Sequence, residues 1–140
     1  MTSNTNFLGI ELYKQGKSEP YMSEKMREHF IHILVSWRQS LMEEAEETMR
    51  HLQEPHNFPD PIDRAAEEEE RTVELKTSDR KRKLIRKIDK TIDRVREDDF
   101  GYCESCGVEI GLRRLEARPT AKECIDCKSF DEIKEKTDMA

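Results

Sequence analysis

The chain has 140 residues, 34% of them hydrophobic and 40% charged, against roughly 45–50% apolar and about 25% charged in ordinary soluble domains. Its length suits one domain, or one with an appendage, but too little apolar side chain is available to fill a single compact ball. A net charge of −6 weighs against general binding to nucleic acid or anionic membrane, and no apolar run approaches the roughly 18–20 residues that span a bilayer. With only five Gly and five Pro, the expectation is a mainly α, elongated protein with a thin hydrophobic seam.

Residues 1–22 are polar and unpatterned apart from Phe7, Leu8, Ile10, Leu12 and Tyr13, and are expected as a loosely ordered arm. Met1–Lys17 lacks a basic start and a continuous apolar core, so it does not read as a signal peptide. The expected location is cytoplasmic, where thiols stay reduced. Ser23 is a plausible N-cap. Beyond it Met26, Phe30, Ile33, Trp37, Leu41, Ala45, Thr48 and Leu52 recur in steps of three or four, the spacing of one helix face. Ser23–Glu54 would form a rod of about 48 Å.

Three prolines within residues 55–61 stop that helix. Asp60 before Pro61 is a restart signal, an acidic cap with proline at the first helical position, and Asp63 suits the positive helix end. A second helix is expected to about Glu97, with Ile62, Ala66, Val73, Leu84, Ile88, Ile92 and Val95 on one stripe, and Arg80 standing where an apolar residue belongs. Two long helices joined by a short turn pack antiparallel. The reading is therefore an arm (1–22), a coiled-coil hairpin (23–97, tip at 55–63), and a segment from 98 to 140.

Charge is sorted along the hairpin. Residues 43–70 carry 11 acidic and 2 basic side chains, and residues 71–96 carry 11 basic and 4 acidic. A turn centred near Asn57 would set Glu43, Glu44, Glu46 and Glu47 across from Glu67–Glu70. That predicts an acidic half near the tip and a basic base. Solvated helix faces are the plainer explanation of the same runs.

The last segment holds Cys103, Cys106, Cys124 and Cys127, two C-x2-C pairs separated by 17 residues, a spacing expected of a four-cysteine zinc site. Each pair sets two thiolates on one side of a metal, and two pairs complete a tetrahedron. With all four positions taken by sulfur, the Zn²⁺ is structural rather than catalytic. Gly107 suits the tight turn after the second ligand. A thioredoxin-like redox pair would need one C-x-x-C beside a βαβ pattern, which is missing. The segment is too poor in apolar residues to fold well without its metal, and Asp126–Lys136 reads as a short helix running off the last ligand. His29, His32, His51 and His56 read as surface side chains. No phosphate loop, nucleophile elbow or histidine-based triad occurs, so an enzyme is not expected.

Four stretches, Asn57–Ala66, Gly101–Ile110, Arg113–Thr120 and Cys124–Lys128, resemble the DksA/TraR family of bacterial transcription factors. The resemblance runs from about Tyr21 to Lys136. It implies a regulator that binds RNA polymerase rather than promoter DNA, entering the secondary channel with its tip toward the active site. It further implies action with ppGpp, repressing ribosomal RNA promoters and activating some amino-acid biosynthesis promoters. By resemblance, Asp60, Asp63 and Ala65 occupy the functional tip, and Arg80, Leu84, Lys87, Arg118 and Lys128 the ppGpp site at the polymerase rim. Asp60 is thus explained twice, as a cap and as a functional acid. A monomer without membrane association is expected.

Three other readings compete. A Gre-like transcript-cleavage factor would use Asp60 and Asp63 to hold a second catalytic Mg²⁺. A zinc-finger nucleic-acid binder would use the basic stretch Arg80–Arg96 and lose affinity steeply with salt. A structural coiled-coil adaptor would leave the unusual tip without purpose.

Overall fold

The computed structural model describes residues 4–54 and 60–138. Its four helices are α1 (Glu24–Gln53), α2 (Pro61–Arg96), α3 (Leu112–Ala117) and α4 (Ile125–Asp138). Among the described residues only two isolated bridges, Thr5–Glu11 and Tyr102–Glu109, have extended pairing. The chain divides into two compact units, Trp37–Asp89 and Met1–Ser36 with Lys90–Ala140.

Both long helices start where capping chemistry places them. Ser23 Oγ accepts the Met26 N–H at 3.3 Å, satisfying one of the free donors of the first turn of α1. Asp60 Oδ1 accepts the Ile62 N–H at 3.0 Å, and Pro61, which has no N–H to lose, opens α2. The 55–59 part of the predicted turn lies outside the described residues.

Within the 37–89 unit the helices run antiparallel. Arg38 Nε lies 2.5 Å from Asp89, Lys81 Nζ 3.1 Å from Glu44 and His51 Nδ1 3.0 Å from Glu74. Arg71 Nη2 donates to the Glu54 carbonyl at 3.2 Å. As the first partner moves from Arg38 along α1 to Glu54 just beyond its end, its mate on α2 moves back from Asp89 to Arg71. Glu54 is therefore level with Arg71, and Pro61–Glu70 extends past it.

This register overturns the expected facing of Glu43–Glu47 and Glu67–Glu70. Centring the turn on Asn57 assumed that both helices begin equally far from it. The packed register instead brings acid opposite base, with Glu44 facing Lys81.

The stripe on α2 also differs in phase. Ile62 and Val73 are 78% and 60% exposed, and Ala66 is exposed. From Glu67 to Ile88 the covered positions are Glu67, Arg71, Glu74, Thr77, Ser78, Lys81, Leu84, Ile85 and Ile88, so Leu84 and Ile88 of the expected stripe are covered. Glu67, Arg71, Glu74, Ser78, Lys81, Ile85 and Ile88 follow alternating four- and three-residue steps. That is a heptad seam whose outer half is polar. An apolar search selects the wrong residues there, because Glu74 and Lys81 occupy seam positions through pairs with His51 and Glu44 on α1. Arg80 sits exposed beside the seam rather than in it.

The other unit has a conventional core. Met26, Phe30, Ile33 and Leu34 from α1 and Ile92 and Val95 from α2 are buried with Phe100, Ile110 and Leu115. The Phe30 and Phe100 rings stand 5.5 Å apart at a tilt, within the range of favourable aromatic pairs.

Residues 4–22, expected as loosely ordered, are tied to this core. Asn6 Oδ1 accepts the N–H groups of Leu8 and Ile10 at 2.9 and 3.0 Å, closing a local turn. The Tyr13 N–H donates to the Glu116 carboxylate at 2.9 Å. Tyr21 Oη donates to the Gly101 carbonyl at 2.8 Å and accepts the Gly111 N–H at 3.1 Å. His29, expected at the surface, is largely covered and sits 2.6 Å from the buried Glu116 carboxylate. These partners lie 80 to 103 residues away, so no local pattern announces them.

Candidate metal centre and charged surfaces

Each cysteine pair is shaped by the backbone before any metal is considered. The Cys103 N–H donates to the Val108 carbonyl at 2.8 Å and the Gly107 N–H returns to the Cys103 carbonyl at 2.9 Å. That reversal holds Gly107 at φ +79°, a conformation glycine adopts at no steric cost. The second pair is formed by the entry into α4, where the Cys127 N–H points at Cys124 Sγ at 3.5 Å. The Glu104 N–H donates to the Lys122 carbonyl at 2.9 Å, joining the two halves.

All four Sγ atoms lie within 4.8 Å of one another, and Cys106 and Cys124 are 3.7 Å apart. A tetrahedral zinc with Zn–S bonds of about 2.3 Å requires sulfur separations of about 3.8 Å. The donor set therefore fits Zn²⁺ in both number and spacing.

Thiol electrostatics agree. Backbone N–H groups, that of Cys124 foremost, draw the Cys103 thiol down to about 6. The Cys127 thiol is pushed well up, first by its hydrogen bond with Cys124 and then by the other crowded sulfurs. The cluster readily accommodates one thiolate but needs a bound cation to hold four.

The three tip residues all lie at the start of α2. Asp60, Asp63 and Ala65 are exposed, and the Asp60 carboxylate both caps the helix and faces solvent. Arg80, Leu84 and Lys87 follow at spacings of four and three, on one face of α2. Arg80 and Lys87 are exposed and Leu84 is half-buried.

Arg118 and Lys128 belong to the zinc-bearing unit. Arg118 is exposed just beyond α3, its N–H bonded to the Arg114 carbonyl at 2.8 Å. Lys128 follows the last cysteine directly, its N–H bonded to the Cys124 carbonyl at 3.0 Å. Sequence reasoning missed Tyr21 and Glu116, which fasten the arm to the segments around the metal. The short helix α3 was also missed, since six residues carry too little periodicity to detect.

Comparison with known proteins places this arrangement. Residues 26–95 match the family model described as DnaK suppressor protein DksA, N-terminal domain. Residues 98–132 match the prokaryotic dksA/traR C4-type zinc finger. The chain is 58% identical over 129 residues to the RNA polymerase-binding transcription factor DksA of Escherichia coli, covering 91% of this chain and 85% of that protein. It is 52% identical over 139 residues to the protein so named from Buchnera aphidicola, covering 96% and 92% of the two chains. Among solved structures, transcription factor DksA2 from Pseudomonas aeruginosa matches with a TM-score of 0.75 at 37% identity, covering 83% of this chain and 90% of that one. With two family models spanning its helices and its cysteine cluster, the chain belongs to the DksA/TraR family.

Proposed function

We propose that this protein is a cytoplasmic, monomeric transcription regulator that acts on RNA polymerase rather than on promoter DNA. The observation that carries this reading is the 58% identity, over 91% of the chain, to a protein named for binding RNA polymerase. It enters the polymerase secondary channel with the start of α2 foremost. Asp60 and Asp63 bring negative charge toward the active site and alter the stability of the open complex.

The effector is ppGpp. A ligand with two pyrophosphates needs several cations, and arginine offers a planar fork for phosphate oxygens. Arg80 and Lys87 with Leu84 on α2, and Arg118 and Lys128 in the zinc-bearing unit, serve as its contacts at the polymerase rim. Zinc, when bound, acts as a staple. Because Lys128 adjoins Cys127, the metal restrains its backbone. Ribosomal RNA promoters are repressed and some amino-acid biosynthesis promoters activated, through ppGpp-biased population of one bound pose.

The test is a pull-down of RNA polymerase by the purified protein, paired with transcription from a ribosomal promoter with and without ppGpp. Lys87→Ala and Arg118→Ala should keep polymerase binding and lose the ppGpp response. An unchanged response would sink the site assignment. RNA cleavage in a stalled complex would point instead to Gre-like chemistry.

A further inference from the structure

One surface of the 37–89 unit is used by nothing described so far. A groove of about 660 Å³ runs along α1 and α2, with Met42, Ala45, Met49 and Ile85 as apolar lining. Arg38, Arg50, Arg82 and Arg86 also line it, against Glu46 as the single acid among the described lining residues. Arg38 is engaged by Asp89 at 2.5 Å. Arg50, Arg82 and Arg86 are exposed and make no hydrogen bond or ion pair with any described residue.

Three uncommitted guanidinium groups beside an apolar floor form an unusual combination. Two other basic side chains of the unit are spent on acids, Lys81 on Glu44 and Arg71 on Glu67. Arg82 and Arg86 share a face of α2. At 100° per residue that face is turned well away from the one bearing Arg80, Leu84 and Lys87, so the proposed ppGpp contacts do not account for it.

We infer that this groove docks an acidic, apolar-faced helical segment of RNA polymerase. The inference rests on the polymerase reading above. Arg38 and Arg50 stand twelve positions apart on α1, a distance of about 18 Å, which suits about three turns of a partner helix. Such a helix presents apolar anchors at three- and four-residue spacing. The unbranched, polarizable side chains of Met42 and Met49 adapt to anchors of varied shape. Carboxylates on the partner's flanks meet the arginines bidentately. Single-stranded nucleic acid fits less well, because stacking on aromatic side chains supplies much of its affinity and no aromatic residue is among the described residues that line the groove.

The experiment uses the full-length, zinc-loaded chain and purified RNA polymerase. The triple variant Arg50→Glu, Arg82→Glu, Arg86→Glu is compared with a matched reversal of three exposed lysines elsewhere, Lys76, Lys90 and Lys134. The groove variant should bind polymerase at least tenfold more weakly, by a margin that narrows as salt rises, while the control stays within twofold of the parent. A photo-crosslinking residue at Met49 should capture an acidic helical segment of polymerase. It serves as the deciding readout if the triple variant loses helicity. Equal polymerase affinity in the groove variant would overturn the inference. So would crosslinks confined to a second copy of this chain, or a groove-dependent affinity for single-stranded RNA without any effect on polymerase. A parent protein that fails to bind polymerase would remove the functional reading itself, a separate outcome visible in the first lane.

Discussion

Lys81 Nζ lies 3.1 Å from the Glu44 carboxylate across the two helices of the 37–89 unit, and this pair marks which turn of α2 stands opposite which turn of α1. The ion pair is partly exposed, so its own contribution is small, about 0.2–1 kcal/mol. Its value is as a register marker. Glu44→Lys alone and Lys81→Glu alone should each lower stability through like-charge contact, and the swapped double variant should recover most of the loss. Urea unfolding of the four proteins gives the coupling. Additive losses would show that the two side chains do not face each other.

Zinc removal should act first on the segment around the four thiols. We expect one Zn²⁺ per chain by metal analysis, and its loss on chelation or in Cys106→Ser and Cys124→Ser. Because the metal-binding free energy is also folding free energy, limited trypsin proteolysis should then open sites at Arg113 and Arg114. Protection that survives complete chelation would mean the backbone holds this segment unaided.

Asp60 tests whether a cap and a functional acid can be separated. Asp60→Asn keeps a side-chain acceptor for the Ile62 N–H, so stability should change little, whereas Asp60→Ala should cost about 0.5–2 kcal/mol. Both variants lose the charge, and both should lose regulation in a ribosomal-promoter assay. Full activity in Asp60→Asn would leave the carboxylate as a cap alone.

Gly101 holds φ +97°, and a Cβ there would lie 2.8 Å from Met22 Cγ. Gly101→Ala should therefore destabilise the protein by about 1–3 kcal/mol from backbone strain, with an added steric part. Gly107, at φ +79°, has open space around its missing Cβ, so Gly107→Ala carries strain without a clash. Met22→Ala should relieve the first variant partially and the second not at all, measured by thermal melting.

The His51 pKa is raised above the ordinary histidine value, chiefly by the hydrogen bond with Glu74. A raised folded-state pKa means its stabilisation is fully present below the unfolded pKa and is lost as pH rises through the folded one. The difference in melting temperature between the parent and His51→Gln should therefore be largest in mildly acidic buffer and shrink toward pH 8. A constant difference across that range would show that the pair does not respond to protonation.

Much of this protein is legible residue by residue. Ser23 and Asp60–Pro61 mark both helix starts because capping is local chemistry, decided within four positions of the chain. The two C-x2-C pairs announce a metal site because zinc demands four donors in a set geometry, whatever surrounds them. Long-range choices are different. The outer seam of α2 uses Glu67, Arg71, Glu74, Ser78 and Lys81 where an apolar search selected Ile62, Ala66 and Val73. Glu74 and Lys81 hold their seam positions against His51 and Glu44 of α1, partners that are invisible until the helices meet.

The same division holds for the composition. Few apolar residues and many charges already pointed to a helical chain with a thin seam, and the spacing of the four cysteines to a metal in its last segment. Tertiary structure alone decided where those charges went. It put Glu44 against Lys81, folded the polar arm onto Gly101 and Glu116, and left Arg50, Arg82 and Arg86 uncommitted beside a methionine-lined groove. A charge is specified by its residue, but whether it is spent on a neighbour is set by register and packing, which no single segment of sequence contains.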